Sequence, residues 1–231
     1  MSETGGMKVC SLFSGGKDST YSMYEAHKEH QVTDVVIVTA EEGSYMYHTQ
    51  ATDPAELAVK SLSWDVDLHH VEIEGKPDPD VEKRDEITPL KTKLQELDVD
   101  AVVSGAVESS YQKSRVDGTA EKLGLDSLAP LWHTDPEEKL REIVEDYVVM
   151  ITAVAAGGLD ESWLGRKIDG KAVDELLELN EEYGVHPMGE GGEYETLVVD
   201  GPHMDSSIEL EYETHWDGVR GGIEVEEVNL V

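Results

Sequence analysis

Cysteine occurs once, at Cys10, and phenylalanine once, at Phe13, in a chain of 231 residues. A single thiol forms no internal disulfide and supplies neither a CxxC zinc site nor a dithiol redox centre. A reducing, cytoplasmic setting is the expectation. Basic residues are also scarce: 18 Lys plus Arg stand against 51 Asp plus Glu, a formal net charge of −33. Such a chain repels phosphate backbones, so no nucleic-acid partner is expected. No stretch approaches the ~18 uninterrupted apolar residues of a membrane helix. The opening residues Met1–Gly6 lack the basic and apolar regions of a signal peptide. Membrane and secretory roles are therefore not expected.

The acids are spread along the chain, from Glu41-Glu42 through Asp78 to Glu86 and Glu181-Glu182 to Glu224 to Glu227. Two readings fit: a surface meant for a basic partner, or adaptation to a halophilic, salt-rich cytoplasm. In the second, a Debye length of roughly 3 Å at 1 M salt hides the self-repulsion. The even spread favours salt adaptation, under which the charge says little about partners. It also masks any interface pattern, so the oligomeric state is not legible.

Apolar periodicity alternates between strand and helix over the first half. Lys8 to Phe13 reads as a strand, Asp18 to His30 as a helix, and Val35 to Val38 as a buried parallel strand. A helix opens at Asp53-Pro54, a strand covers Leu68 to Ile73, and Ile87 to Leu97 is helical. Ala101 to Val103 and Leu128 to Trp132 read as further strands around a helix over Tyr111 to Leu123. This alternation predicts an α/β fold: a Rossmann-like parallel sheet covered by helices on both faces. The character changes near residue 132. Asp135-Pro136 starts a helix, Val148 to Ala156 is β-prone, and Lys171 to Tyr183 is a helix capped by Gly184. Strands are expected at Leu197 to Val199, Ile208 to Thr214 and Ile223 to Leu230, the last two flanking Asp217-Gly218. Residues 1–132 are read as a nucleotide-binding domain and 133–231 as a smaller, mixed α/β substrate lobe.

Between the first strand and first helix stands Ser14-Gly15-Gly16-Lys17-Asp18-Ser19, followed by Thr20. Two glycines let backbone amides and a helix N-terminus approach an anion. Ser14, Ser19 and Thr20 add hydroxyls, and Lys17 adds a charge. Asp18 is out of place in an anion cradle unless a divalent cation such as Mg²⁺ joins it to phosphates. A Walker A loop is excluded, because there the lysine precedes Ser or Thr.

This hexapeptide resembles the PP-loop of the ATP pyrophosphatases, an adenine-nucleotide α-hydrolase-like superfamily. That resemblance implies a loop holding the pyrophosphate part of ATP while the α-phosphorus is attacked. Three further blocks narrow it: Ser44 to Thr49; Ser104-Gly105-Ala106 with Tyr111 to Arg115; and Gly189-Glu190-Gly191-Gly192-Glu193-Tyr194-Glu195-Thr196, preceded by Leu159 to Arg166. Over residues 8 to 202 they resemble the diphthine–ammonia ligases, also called diphthamide synthetases. The resemblance implies an AMP-forming ligase in which ATP adenylates the carboxylate of diphthine on translation elongation factor 2. Ammonia then displaces AMP to give diphthamide.

Within that resemblance, Gly105 is a cofactor-binding candidate. Lys113 and Arg115 are candidates for the α-phosphate or the substrate carboxylate, or else form a solvated helix face. Glu190 and Glu193 flank a Gly-Gly pair and are candidates for binding ammonium, taking its proton, or attracting the diphthine trimethylammonium group. With Lys17 and Asp18 they form the catalytic set; Asp18 is the metal candidate, and ATP and Mg²⁺ are the expected cofactors. His48, Tyr45 and Tyr47 either stack on ligands or pack. Two rivals differ in acceptor or in kind: a tRNA-modifying ATP pyrophosphatase, or a non-catalytic nucleotide sensor. Thiolating tRNA enzymes need cysteine pairs that this chain lacks, and sensor modules carry their phosphate loop late in the domain. No glutaminase nucleophile is evident, so free ammonium is the expected nitrogen source.

Overall fold

The computed structural model describes residues 6–40, 52–73 and 87–231. The chain forms two compact units, and the division is not a single cut. The first comprises residues 1–14, 18–52 and 64–130; the second comprises residues 15–17, 53–63 and 131–231.

The first unit carries strands β1 (Lys8–Phe13), β2 (Gln31–Ala40), β3 (Asp67–Ile73), β4 (Ala101–Val103) and β5 (Asp126–Leu128). They form one sheet, in the order β3-β2-β1-β4-β5, with every pairing parallel. Helix α1 (Lys17–Glu29) follows β1, and α2 (Thr52–Lys60) lies between β2 and β3 in the chain. Helices α3 (Thr88–Glu96) and α4 (Ser110–Leu123) flank β4. Cys10, Val36, Val38, Val71 and Val102 on one sheet face pack with Leu90 and Leu94 of α3 and with Val116 and Ala120 of α4. Residues of the opposite alternation, Val9, Phe13, Val35, Ile37 and Val103, are equally buried. The continuous apolar run in β2 is what a strand buried on both faces requires.

Cys10 is a buried core residue, as expected of a small hydrophobe. Burial, with the Asp34 carboxylate nearby, pushes its thiol far above the ordinary range. No helix among the described residues is long and apolar enough to cross a membrane.

One strand differs from its expected place. Leu128 to Trp132 was the apolar signal, but β5 is Asp126–Leu128, in register with Ala101 to Val103. Ladder pairing with β4 decides its position over side-chain propensity, and the chain turns at Pro130, which has no amide to donate.

The second unit holds α5 (Pro136–Asp146), β6 (Val148–Val154), a short 3-10 turn at Glu161–Trp163, α6 (Gly170–Tyr183), β7 (Tyr194–Asp200), β8 (Ile208–Trp216) and β9 (Gly221–Leu230). Its sheet is antiparallel, in the order β7-β6-β9-β8. Asp135 caps α5 by accepting the Glu138 amide hydrogen at 2.9 Å, and Gly184 caps α6 with φ +75°. The β8–β9 hairpin turns on Asp217, whose carboxylate accepts the amides of Val219 and Arg220, both at 2.8 Å. Trp163 is buried in this unit with the Arg166 guanidinium 4.3 Å from its ring centre.

Candidate active site

Sheet order places the loop after β1 next to the segment after β4. Because β2 and β4 flank β1 on opposite sides, the strand order reverses there, at the end where parallel sheets take ligands. In the first unit the Ser14 amide donates to Ser19 Oγ at 3.2 Å, and the two hydroxyls lie 3.1 Å apart. Gly105 presses against the first turn of α1: a β-carbon on it would meet Ser19 N at 2.6 Å. Thr20 and Ser104 are buried, and their hydroxyl oxygens make no hydrogen bond among the described residues. Asp18 is half-buried. Backbone packed this closely, with idle hydroxyls beside it, suits a ligand rich in oxygen acceptors.

The middle of the same loop belongs to the second unit, where it meets the glycine–glutamate block. Gly15 adopts φ +79°, a left-handed conformation that a side chain would strain, and its carbonyl accepts the Val198 amide at 2.8 Å. The Lys17 amide donates to Thr196 Oγ1 at 3.2 Å. Lys17 itself is only 2% exposed, and its ammonium donates to the Met188 carbonyl at 2.5 Å. The Tyr194 ring centre lies 5.4 Å from that ammonium. Burying an unpartnered ammonium costs several kcal/mol, so these contacts are what allow the lysine to be there. Two sequence blocks, with the lysine and its carbonyl acceptor 171 residues apart, thus form one arrangement.

Residues 189–193 form a loop, while Tyr194, Glu195 and Thr196 open strand β7. Glu193 spreads its carboxylate over two main-chain donors, the His186 amide at 3.1 Å and the Gly191 amide at 2.8 Å. Glu190 is half-buried on the same loop.

Lys113 and Arg115 occupy the first turns of α4, which is capped by Ser109 through the Gln112 amide. Two residues apart on a helix, they point to different faces. The Lys113 ammonium donates to Asp117 at 2.6 Å, and Ser127 donates to the other carboxylate oxygen at 2.7 Å. Burial pushes the Asp117 carboxyl up, but these two hydrogen bonds and the lysine charge outweigh it and hold it below its usual range. The Arg115 guanidinium lies 4.4 Å from the Tyr111 ring centre. The block Ser44 to Thr49, with Tyr45, Tyr47 and His48, lies outside the described residues.

Two domain models of diphthamide synthase match the chain, the N-terminal one over residues 7–127 and the C-terminal one over 135–231. The chain belongs to the diphthamide synthase family. A relative from Rattus norvegicus, named diphthine–ammonia ligase, is 34% identical over 87% of this chain and 82% of its own length. One of the same name from Schizosaccharomyces pombe is 35% identical over 88% of this chain, which spans only 36% of that protein. A solved structure from Methanocaldococcus jannaschii, described as a predicted subunit of tRNA methyltransferase, is 20% identical with a TM-score of 0.46, covering 85% of this chain and 98% of that one.

In a diphthamide synthase, a divalent cation would have one carboxylate here, Asp18, with the Ser14 and Ser19 hydroxyls near it in the chain. Among the described residues, no three His, Cys, Asp or Glu side chains gather into a metal cage. That donor set fits Mg²⁺, which keeps its waters and takes one or two carboxylates plus phosphate oxygens.

Two partners of the candidate lysines are not singled out in the sequence. The Met188 acceptor is a main-chain carbonyl, which no residue identity announces. Asp117 was detectable in principle, since it stands four residues beyond Lys113 on one helix.

Proposed function

We propose that this chain is an AMP-forming carbon–nitrogen ligase that amidates the diphthine carboxylate of translation elongation factor 2. A carboxylate is a poor electrophile, so its oxygen first attacks the α-phosphorus of ATP. The bond from that phosphorus to the β-phosphate oxygen breaks, and pyrophosphate leaves with the electron pair. Ammonia nitrogen then attacks the carbonyl carbon of the acyl-adenylate. AMP departs, and the nitrogen sheds a proton to leave the amide.

The loop Ser14 to Thr20 takes the pyrophosphate portion of ATP through its amides and hydroxyls, with Lys17 supplying charge and Gly105 keeping the turn tight. Asp18 holds Mg²⁺, which when bound offsets charge on the phosphates. Lys113 or Arg115 contacts the α-phosphate or the substrate carboxylate. Ammonium must lose a proton before it can attack, and Glu190 has that task or the task of binding it. Residues 1–132 serve the nucleotide and 133–231 the modified protein, in a salt-rich cytoplasm.

The observation that supports this most is the union of Lys17 with Met188, Tyr194 and Thr196: the phosphate-loop motif and the family's glycine–glutamate motif form one arrangement. The test incubates the protein with ATP, ammonium and diphthine-bearing elongation factor 2 at high salt. AMP should appear together with conversion of the factor's carboxylic acid to an amide, read by mass. AMP without that mass change overturns the acceptor, and ADP overturns the phosphate loop.

A further inference from the structure

One side chain fixes the shape of the segment that receives the phosphate-loop lysine. Between His186 and Glu193 the chain makes two tight turns, with the Gly189 amide on the His186 carbonyl at 2.8 Å and the Gly192 amide on the Gly189 carbonyl at 3.0 Å. The Met188 amide donates to His186 Nδ1 at 3.1 Å, and the Tyr194 hydroxyl donates to the Pro187 carbonyl. The Glu193 carboxylate closes the segment by joining its two ends, accepting from His186 N and Gly191 N. The Met188 carbonyl that holds the Lys17 ammonium lies between the two residues so joined. Gly191 is shaped to this clamp. It is not in the left-handed region, yet a β-carbon there would meet Glu193 Oε1 at 2.8 Å and its carboxyl carbon at 3.0 Å.

We propose that Glu193 is a positioning residue for Lys17: by clamping the 186–193 segment, it sets the Met188 carbonyl and hence the place of the lysine charge used on ATP. This rests on the reading of the Ser14 to Thr20 loop as the phosphate site. A carboxylate accepting from two amides makes two charge-assisted hydrogen bonds. A glutamine keeps one acceptor and turns the other towards an amide as a donor, so half of the clamp is lost. Gly191→Ala acts differently: it keeps the glutamate and its charge and displaces only the flexible end of that side chain. A clamp is damaged by both changes, whereas a group that binds ammonium or takes its proton is neutralised only by the first.

The experiment measures ATP affinity by calorimetry, and KM for ATP and for ammonium, in Glu193→Gln, Gly191→Ala and Lys17→Met. Each of the first two is also combined with Lys17→Met, which retains the buried volume. Both single changes should weaken ATP by about tenfold, the size of one lost charge-assisted contact, and leave KM for ammonium unchanged. In the Lys17→Met background neither should weaken ATP further, as expected for residues acting through one another. A raised ammonium KM with unchanged ATP affinity in Glu193→Gln overturns the proposal, as does an undiminished ATP loss in the Lys17→Met background. Lys17→Met binding ATP like the wild type is a separate outcome; it removes the phosphate-loop reading and this proposal together. Should Glu193→Gln fail to fold, Gly191→Ala carries the same comparison.

Discussion

Gly105 lies against Ser19 so closely that a β-carbon on the glycine would sit 2.6 Å from the serine amide nitrogen and 2.7 Å from the carbonyl carbon of Asp18. The atoms in the way are backbone, which cannot swing aside. The segment after β4 and the first turn of α1 are therefore packed main chain on main chain, at the strand end where the order reverses. Holding a helix N-terminus rigidly keeps its amides in place for an anion without spending a side chain on the task.

Gly105→Ala should cost about 1–3 kcal/mol of stability, the usual range for overpacking, and should weaken ATP binding as the first turn of α1 shifts. Urea unfolding and calorimetry on the same variant separate the two effects. Lower stability with ATP affinity intact would reduce Gly105 to a packing role.

Asp18 is the one carboxylate in the phosphate loop. Asp18→Asn should raise the Mg²⁺ concentration needed for half-maximal AMP release by roughly 10–100-fold, in line with losses at perturbed metal sites. Added Mg²⁺ should then restore much of the rate. A magnesium titration that superimposes on the wild type would free Asp18 from any metal role.

The parallel sheet was legible because buried strands announce themselves: Val35 to Val38 and Ala101 to Val103 have no polar face to hide. Caps at Asp135 and Gly184 were legible for a similar reason, since helix ends need specific chemistry. Strand β5, which begins with Asp126 and Ser127, was misplaced because its pairing comes from a neighbour distant in sequence. The Ser14 to Ser19 loop could be read as an anion site. That its lysine would turn to a carbonyl 171 residues away could not, because the acceptor is main chain and the pairing is tertiary. Glu193 was recognisable as special, but its two amide partners depend on the turn geometry of residues 186–192.

Glu175 on α6 receives the Arg166 guanidinium and, at 3.0 Å, the Lys171 ammonium. The hydrogen bonds from Arg166 and Lys171 lower its carboxyl from 4.5 to about 2. A depressed carboxyl stabilises the fold fully above its unfolded value and loses that contribution as pH falls through the folded one. Glu175→Gln should therefore be less stable than the wild type near neutral pH, by about 1 kcal/mol for a partly exposed pair. That gap should close between pH 4.5 and about 2. Urea unfolding at several pH values measures it, and a gap independent of pH would show that packing, rather than the charge, matters at this position.

The β8–β9 hairpin sets acids directly opposite acids, Glu211 against Glu227 and Glu213 against Glu224. Like charges facing each other across a ladder destabilise by roughly 0.2–1 kcal/mol per pair. Glu224 also meets His215 Nε2 at 2.8 Å, and Glu227 accepts from Asn229 at 2.9 Å; salt screens what repulsion is left, as the Debye length falls from about 10 Å at 0.1 M to about 3 Å at 1 M. The expectation of a salt-adapted surface thus has a local test. Glu211→Lys turns one facing pair from repulsive to attractive without altering the buried side of the hairpin. At 0.1 M salt it should raise stability by about 0.5–1 kcal/mol, and by 1 M most of that gain should disappear. Thermal unfolding across a salt series reads both values. A gain that persists at high salt would mean that the facing glutamates cost the fold something other than charge repulsion.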